Sequence, residues 1–291
     1  MLLELEDWTF LAKNLNSQVS PIADSFLKRR GFQIKHPVHD FLFTYYTFSP
    51  TKLKQWVPAL GQKILMTPTA LQEYSWLAAS WFKSDQNILE LDQKRIQKST
   101  LKAAAFVYEL SENILKQPPR FNCFGLHEWA MVYKLSVDDL RHQGYPLRLK
   151  ENDLAAFVES QNICCSHYDA YRFFTKEARP LNVLNPLLET RTTMEQGGCL
   201  HANMDIYKWA TRFWPWIGSD FILKAFLLAL DGRELDMRAS PYDLKNVGYD
   251  PICIETEQGR QEYKQAQKEI AQRSLILRKE LSAFCKTLTE K

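Results

Sequence analysis

The chain has 291 residues, 45% of them hydrophobic, 13% aromatic and 24% charged, with 10 Gly, 13 Pro and 6 Cys. That length supports a core without disulfides or a structural metal, and the composition excludes a disordered or collagen-like chain. No run reaches the roughly 18 consecutive apolar residues of a membrane span, and a net charge of +3 excludes a generally basic protein.

Glu4, Glu6 and Asp7 stand where a secretory leader needs positive charge, and six Cys are too sparse for a disulfide scaffold. A cytoplasmic protein with reduced thiols is expected. Residues 257–291 hold eight basic residues against five Glu, so the rest of the chain balances to zero. A local basic groove fits that balance better than a duplex-binding face.

Leu5, Trp8, Leu11 and Leu15 recur at helical spacing, and Ser20-Pro21 marks the start of a second helix through Phe26 and Leu27. Thr67-Pro68-Thr69 starts another, with Thr67 as its cap and Leu71, Tyr74, Leu77, Ala78 and Trp81 on one face. A helix over 100–115 stops before Pro118-Pro119. Beyond residue 120 the pattern changes. Residues 146–149 and 163–174 alternate in places as short strands would, with a helix over 153–159 between them. Residues 201–214 and 220–230 read as two more helices. Tyr263, Ala266, Ile270, Leu277, Leu281, Phe284 and Leu288 form the stripe of a long C-terminal helix at about 258–288. Ser274 interrupts any heptad seam, so that helix packs one face on the body. With no repeat, low-complexity segment or Gly/Ser linker, the expectation is one mainly α domain over 1–291. A small β or extended element is placed in its second half.

Ionisable residues embedded among apolar ones cluster in five segments: 35–41, 125–129, 166–172, 199–208 and 235–243. Five of the six His fall inside them. Buried ionisable groups are costly unless paired, so these segments are ion-pair networks or an active site. On a helix, His201 and Asp205 share a face and Lys208 extends the stripe. That pair is either an internal helix contact, a general base held in one tautomer, or a metal ligand with an acidic neighbour. On a strand, His167, Asp169 and Tyr171 would point to one face and Arg172 to the other. His127 and Glu128 diverge by about 100° on a helix, so they do not pair with each other. Asp236 and Arg238 are read as a structural salt bridge or as an Arg fixed to hold a phosphate or carboxylate.

Cys123, Cys165 and Cys199 each stand close in sequence to an embedded His, but the usual structural-zinc spacings are missing. The paired Glu-x-x-His motifs of di-iron bundles are also missing, as are a P-loop, a Rossmann glycine fingerprint and a Gly-x-Ser-x-Gly elbow. Aromatic residues crowd the same segments. A subset of them would serve to stack a nucleobase.

Several long motifs carry a resemblance. They are His36-Pro-Val with residues 40–46, Cys123-Phe-Gly-Leu-His-Glu-Trp129, Ser166-His-Tyr-Asp-Ala-Tyr-Arg172, residues 178–182, Gly198-Cys-Leu-His-Ala-Asn-Met-Asp205 and Leu235-Asp-Met-Arg-Ala-Ser240. Over most of its length the chain resembles a bacterial family commonly labelled 3-methyladenine DNA glycosylase, not of the helix-hairpin-helix type. The resemblance implies hydrolysis of the N-glycosidic bond of a modified purine, in DNA or in a nucleoside or nucleotide, with no cofactor.

On that expectation His167, Asp169, His201 and Asp205 are catalytic. His127, Glu128, Tyr171, Arg172, Lys208, Asp236 and Arg238 bind substrate. Two alternatives stay open. One is a metal-dependent oxidase or hydrolase, di-iron included, with ligands drawn from His127, Glu128, His167, Asp169, His201 and Asp205. The other is a non-catalytic binding protein.

Overall fold

The computed structural model describes residues 1–142 and 144–290. It is mainly helical, with twelve α-helices and one small sheet among the described residues. Among them, no helix is long and apolar enough to cross a membrane. The chain divides into two compact units. The first holds Met1–Tyr108, Ile206–Leu227 and Ala283–Lys291, and the second holds Glu109–Asp205 and Leu228–Ser282.

In the first unit β1 (Leu2–Leu3), β2 (Lys63–Leu65), β3 (Phe82–Asp85) and β4 (Ile88–Leu91) form a sheet in the order β1-β2-β4-β3. β1 runs parallel to β2 and the other pairs are antiparallel. This corrects the sequence expectation, which put the β element in the second half. Strands of two to four residues are too short to show alternation, and β1 pairs with β2 about 60 residues away, while β3 and β4 form a local hairpin across Gln86 and Asn87. The segments read as strands contribute two isolated bridges, Leu147 with Tyr242 and Ile163 with Asn182.

One helix, Leu5–Gly31, replaces the two expected at the N-terminus. Pro21 sits on its solvent face, as does Ser17, whose carbonyl is the one left without an intrahelical donor. The break is therefore cheap. Trp8, fully buried, anchors this helix by donating from Nε1 to the Leu65 carbonyl, 2.9 Å, and stacking on Trp56. Thr67 caps as expected, accepting the Ala70 N–H at 3.2 Å. That helix ends at Glu73, a 3-10 turn follows at Ser75–Ala78, and Trp81 leads into β3.

The second unit is helical around Trp129, Tyr242 and Tyr263, which are at most 1% exposed. It includes the helices Leu126–Ala130 and Glu151–Glu159, the first turns of Leu200–Arg212, the last turns of Ser219–Arg238 and most of Glu257–Thr289.

Candidate metal centre

Two glycines bring the backbone to this site. Gly125, at φ +70°, turns the chain into the helix Leu126–Ala130, all five residues of which are buried. Trp129 pins that helix by donating from Nε1 to the Ala239 carbonyl at 2.9 Å. Gly198 passes so close to Arg120 that a Cβ there would collide with the Arg120 backbone carbonyl. Gln196 clamps the crossing. Its Oε1 accepts the N–H groups of Arg120 (2.8 Å) and Gly198 (2.7 Å), while Gln267 Nε2 donates to the Gly198 carbonyl at 2.7 Å. The helix carrying His201 begins two residues on.

From these supports three side chains converge. His127 Nε2 lies 2.9 Å from Asp236 Oδ1, and the His201 ring meets the His127 ring edge-on, centroids 4.2 Å apart. One donor atom of each of His127, His201 and Asp236 lies within 4.8 Å of the other two. His127 is 1% exposed and Asp236 0%. Despite their separation, neither His127 Nε2 nor Asp236 Oδ1 makes a hydrogen bond of acceptable angle. Buried polar atoms without partners are rare and ask for an explanation.

Asp236 Oδ2 accepts from Arg233 at 2.6 Å, and the same guanidinium nitrogen donates to Glu128 Oε1 at 2.8 Å. Burial alone would depress His127, but the Asp236 carboxylate overrides it and lifts the imidazole to about 10. Burial would likewise raise Asp236, and the charge of His127 holds it well below the usual carboxylate range. Burial, then the charge of His127, pushes His201 well below its ordinary value. His201 is thus a neutral imidazole.

A second network adjoins the first, with the rings of His167 and His201 5.6 Å apart. His167 Nε2 faces Asp205 Oδ2 at 3.4 Å and Glu195 Oε1 at 3.5 Å. Arg191 joins these carboxylates, at 2.7 Å from Glu195 and 3.2 Å from Asp205, and reaches Asp169 at 3.5 Å. Beside His127 and His201 lies a cavity of about 40 Å³, lined also by Cys123, Cys165, Ser166 and Cys199. Burial pushes the thiols of Cys165 and Cys199 up, so both sulfurs are neutral. None of the aromatic residues noted in the sequence lines this cavity.

Several expected pairings form differently. His201 turns to His127, while Asp205 turns to His167 and Arg191. A fully charged guanidinium inside the unit outbids a helical neighbour for the carboxylate. Asp169 stands on the short helix Tyr168–Tyr171, with His167 as its cap residue, so the shared strand face of His167, Asp169 and Tyr171 does not exist. Asp169 bonds Arg172 at 3.3 Å, and Arg172 lies over the Phe173 ring. Tyr171 packs on Phe174.

Asp236 and Arg238 do not pair, because two residues apart on the helix Ser219–Arg238 they point about 200° away from each other. Arg238 instead donates to the Asp250 carbonyl and pairs with Glu262. Lys208 lies over Trp209, 5.2 Å from its ring. His127 and Glu128 diverge as expected, yet Arg233 ties both into one network through Asp236 and Glu128.

Four of the five ionisable segments contribute to the second unit. The fifth, 35–41, lies in the first unit and forms a brace of its own. There Asp40 pairs with Arg29 at 2.7 Å, and His36 Nδ1 accepts the N–H groups of Val38 and His39. Arg191, Glu195 and Arg233 were not singled out in the sequence. The signals were there: Arg191 and Glu195 stand four apart, and Arg233 stands three before Asp236 on one helix.

No family model, no curated protein and no solved structure matches the chain.

Proposed function

We propose that the chain is a metal-dependent enzyme whose ion is held by His127, His201 and Asp236. The observation that carries this reading is the convergence of three buried donor groups, with His127 Nε2 and Asp236 Oδ1 2.9 Å apart beside a neutral His201; an ion would take the place of the proton that the Asp236 carboxylate otherwise holds on His127. Two donors about 2.1 Å from one ion and at right angles lie about 3.0 Å apart. That spacing suits coordination, and an ion would satisfy both atoms. Two imidazoles and one carboxylate form the donor set of non-haem iron(II) enzymes and of catalytic zinc sites alike.

Arg233 and Glu128 orient the carboxylate from behind, the role outer-sphere partners take around metal ligands. The cavity beside His127 and His201 has room for water-sized ligands, which would let a small reactant reach the ion.

Elemental analysis of protein purified without added metal or chelator tests the reading. Close to one transition-metal ion per chain is expected, lost in His201→Ala with the far-ultraviolet spectrum unchanged. Protein that carries no ion and fails to bind iron(II), manganese(II) or zinc(II) on titration overturns it.

Removal of a modified purine is the second reading, favoured by the contact of His167 with the Asp205 carboxylate at 3.4 Å. Release of free base from alkylated DNA or nucleosides, abolished by Asp205→Asn, is its test.

A further inference from the structure

The first unit contains an open cleft of about 770 Å³ that the metal centre does not use. Its basic wall is Lys52, Lys94, Arg95 and Arg212, and no carboxylate is among its lining residues. Asp92 stands nearby, 3.7 Å from Arg95 Nε, where it caps the turn Gln93–Arg95 by accepting the Lys94 N–H. Its aromatic wall is Trp81, Trp214 and Trp216, with Trp81 edge-on to Trp214 at 5.3 Å. Ser99 and Thr100 bring the N-terminal turn of the 19-residue helix Lys98–Lys116 to the same cleft, adding a positive dipole end.

A second observation concerns the aromatic wall. The indole nitrogens of Trp81 and Trp214 are buried and make no hydrogen bond, although both residues line the cleft. An indole N–H only donates, and it seeks an acceptor when desolvated. Cations with a helix N-terminus suit a phosphate, and indoles suit a ring that stacks and accepts.

We infer that this cleft binds a nucleotide, its phosphate held by Lys94, Arg95, Arg212 and the helix start, its base held by the tryptophans. The inference does not depend on the metal centre.

Titration of the full chain with AMP, followed by tryptophan fluorescence and calorimetry, tests it. Saturable binding is expected, with adenosine and ribose 5-phosphate each at least about tenfold weaker than AMP. Lys94→Ala combined with Arg212→Ala should weaken AMP by a further factor of about ten or more at unchanged Tm. Trp81→Phe, which keeps an aromatic ring but deletes the indole N–H, should weaken AMP and leave ribose 5-phosphate unaffected. No saturation at about millimolar AMP overturns the inference. So does equal affinity for ribose 5-phosphate, which would make the cleft a simple anion patch, or wild-type affinity in the double variant. An oligothymidylate bound more than about a hundredfold tighter than AMP or thymidylate would reassign the cleft to single-stranded nucleic acid.

Discussion

Arg233 shows how much one side chain carries in the second unit. It is 3% exposed and stands between Glu128 and Asp236. Replacing it with Met leaves two buried carboxylates short of charge, and losing one partner of a buried ionic network costs about 3–5 kcal/mol. Urea unfolding of Arg233→Met at neutral pH should show a loss of that order. A change below about 1 kcal/mol would mean that water reaches the network freely.

His36 is a residue-scale case of pH dependence. Burial, then the charges of His39 and Arg29, holds it down at about 4. Its Nδ1 must stay unprotonated to accept the two loop N–H groups. Because the folded value lies below the unfolded one, the unfolded chain binds the proton first. The contribution of His36 is complete above about pH 6.5 and is lost as pH falls towards about 4. His36→Asn keeps an acceptor and removes the titration, so its Tm should fall less between pH 7 and pH 5 than that of the parent. Identical slopes would acquit His36.

At the scale of elements, the entry to the helix Leu200–Arg212 depends on the absence of a side chain at Gly198. A Cβ there meets the Arg120 backbone, which cannot rotate away as a flexible side chain would. Gly198→Ala must displace the Gln196 clamp, and we expect a stability loss of about 2 kcal/mol or more together with weakened metal binding. Wild-type metal content and an unchanged unfolding midpoint would contradict this. The helix Pro68–Glu73 offers a milder case. Thr67→Ala should cost about 1 kcal/mol in denaturant unfolding, the value of one lost N-cap acceptor.

The same elements separate what was legible in the sequence from what was not. Thr67 and the stripe from Tyr263 to Leu288 were readable because a cap and a helical period are local signals. Pro21 misled because a proline halts a helix only where its lost bond matters, and here that bond faces solvent. The sheet was missed because its strands are only two to four residues long, and β1 and β2 also find their partners far along the chain.

For the whole molecule, a ligand that binds only the folded chain adds stability by mass action, about 2.7 kcal/mol at a hundredfold excess over Kd. Adding iron(II) or manganese(II) should therefore raise Tm, chelation should reverse the rise, and His201→Ala should abolish it. A Tm indifferent to metal in the parent chain would count against the centre. Each compact unit gathers residues from separate stretches of chain, a grouping that leaves no Gly/Ser linker to find in the sequence.

The sequence alone determined that the chain is mainly helical, because periodicity and capping are properties of neighbouring residues. It also determined which residue types were embedded where charge is costly, His127, His201 and Asp236 among them. Only the tertiary structure decided their partners. His201 met His127 and not Asp205, Asp236 met His127 and Arg233 and not Arg238, and three tryptophans met four cations across one cleft. Apart from Arg233 and Asp236, three apart on one helix, those encounters bring together stretches tens to more than a hundred positions apart, where no spacing rule reaches and the balance of burial against opposite charge selects the neighbour.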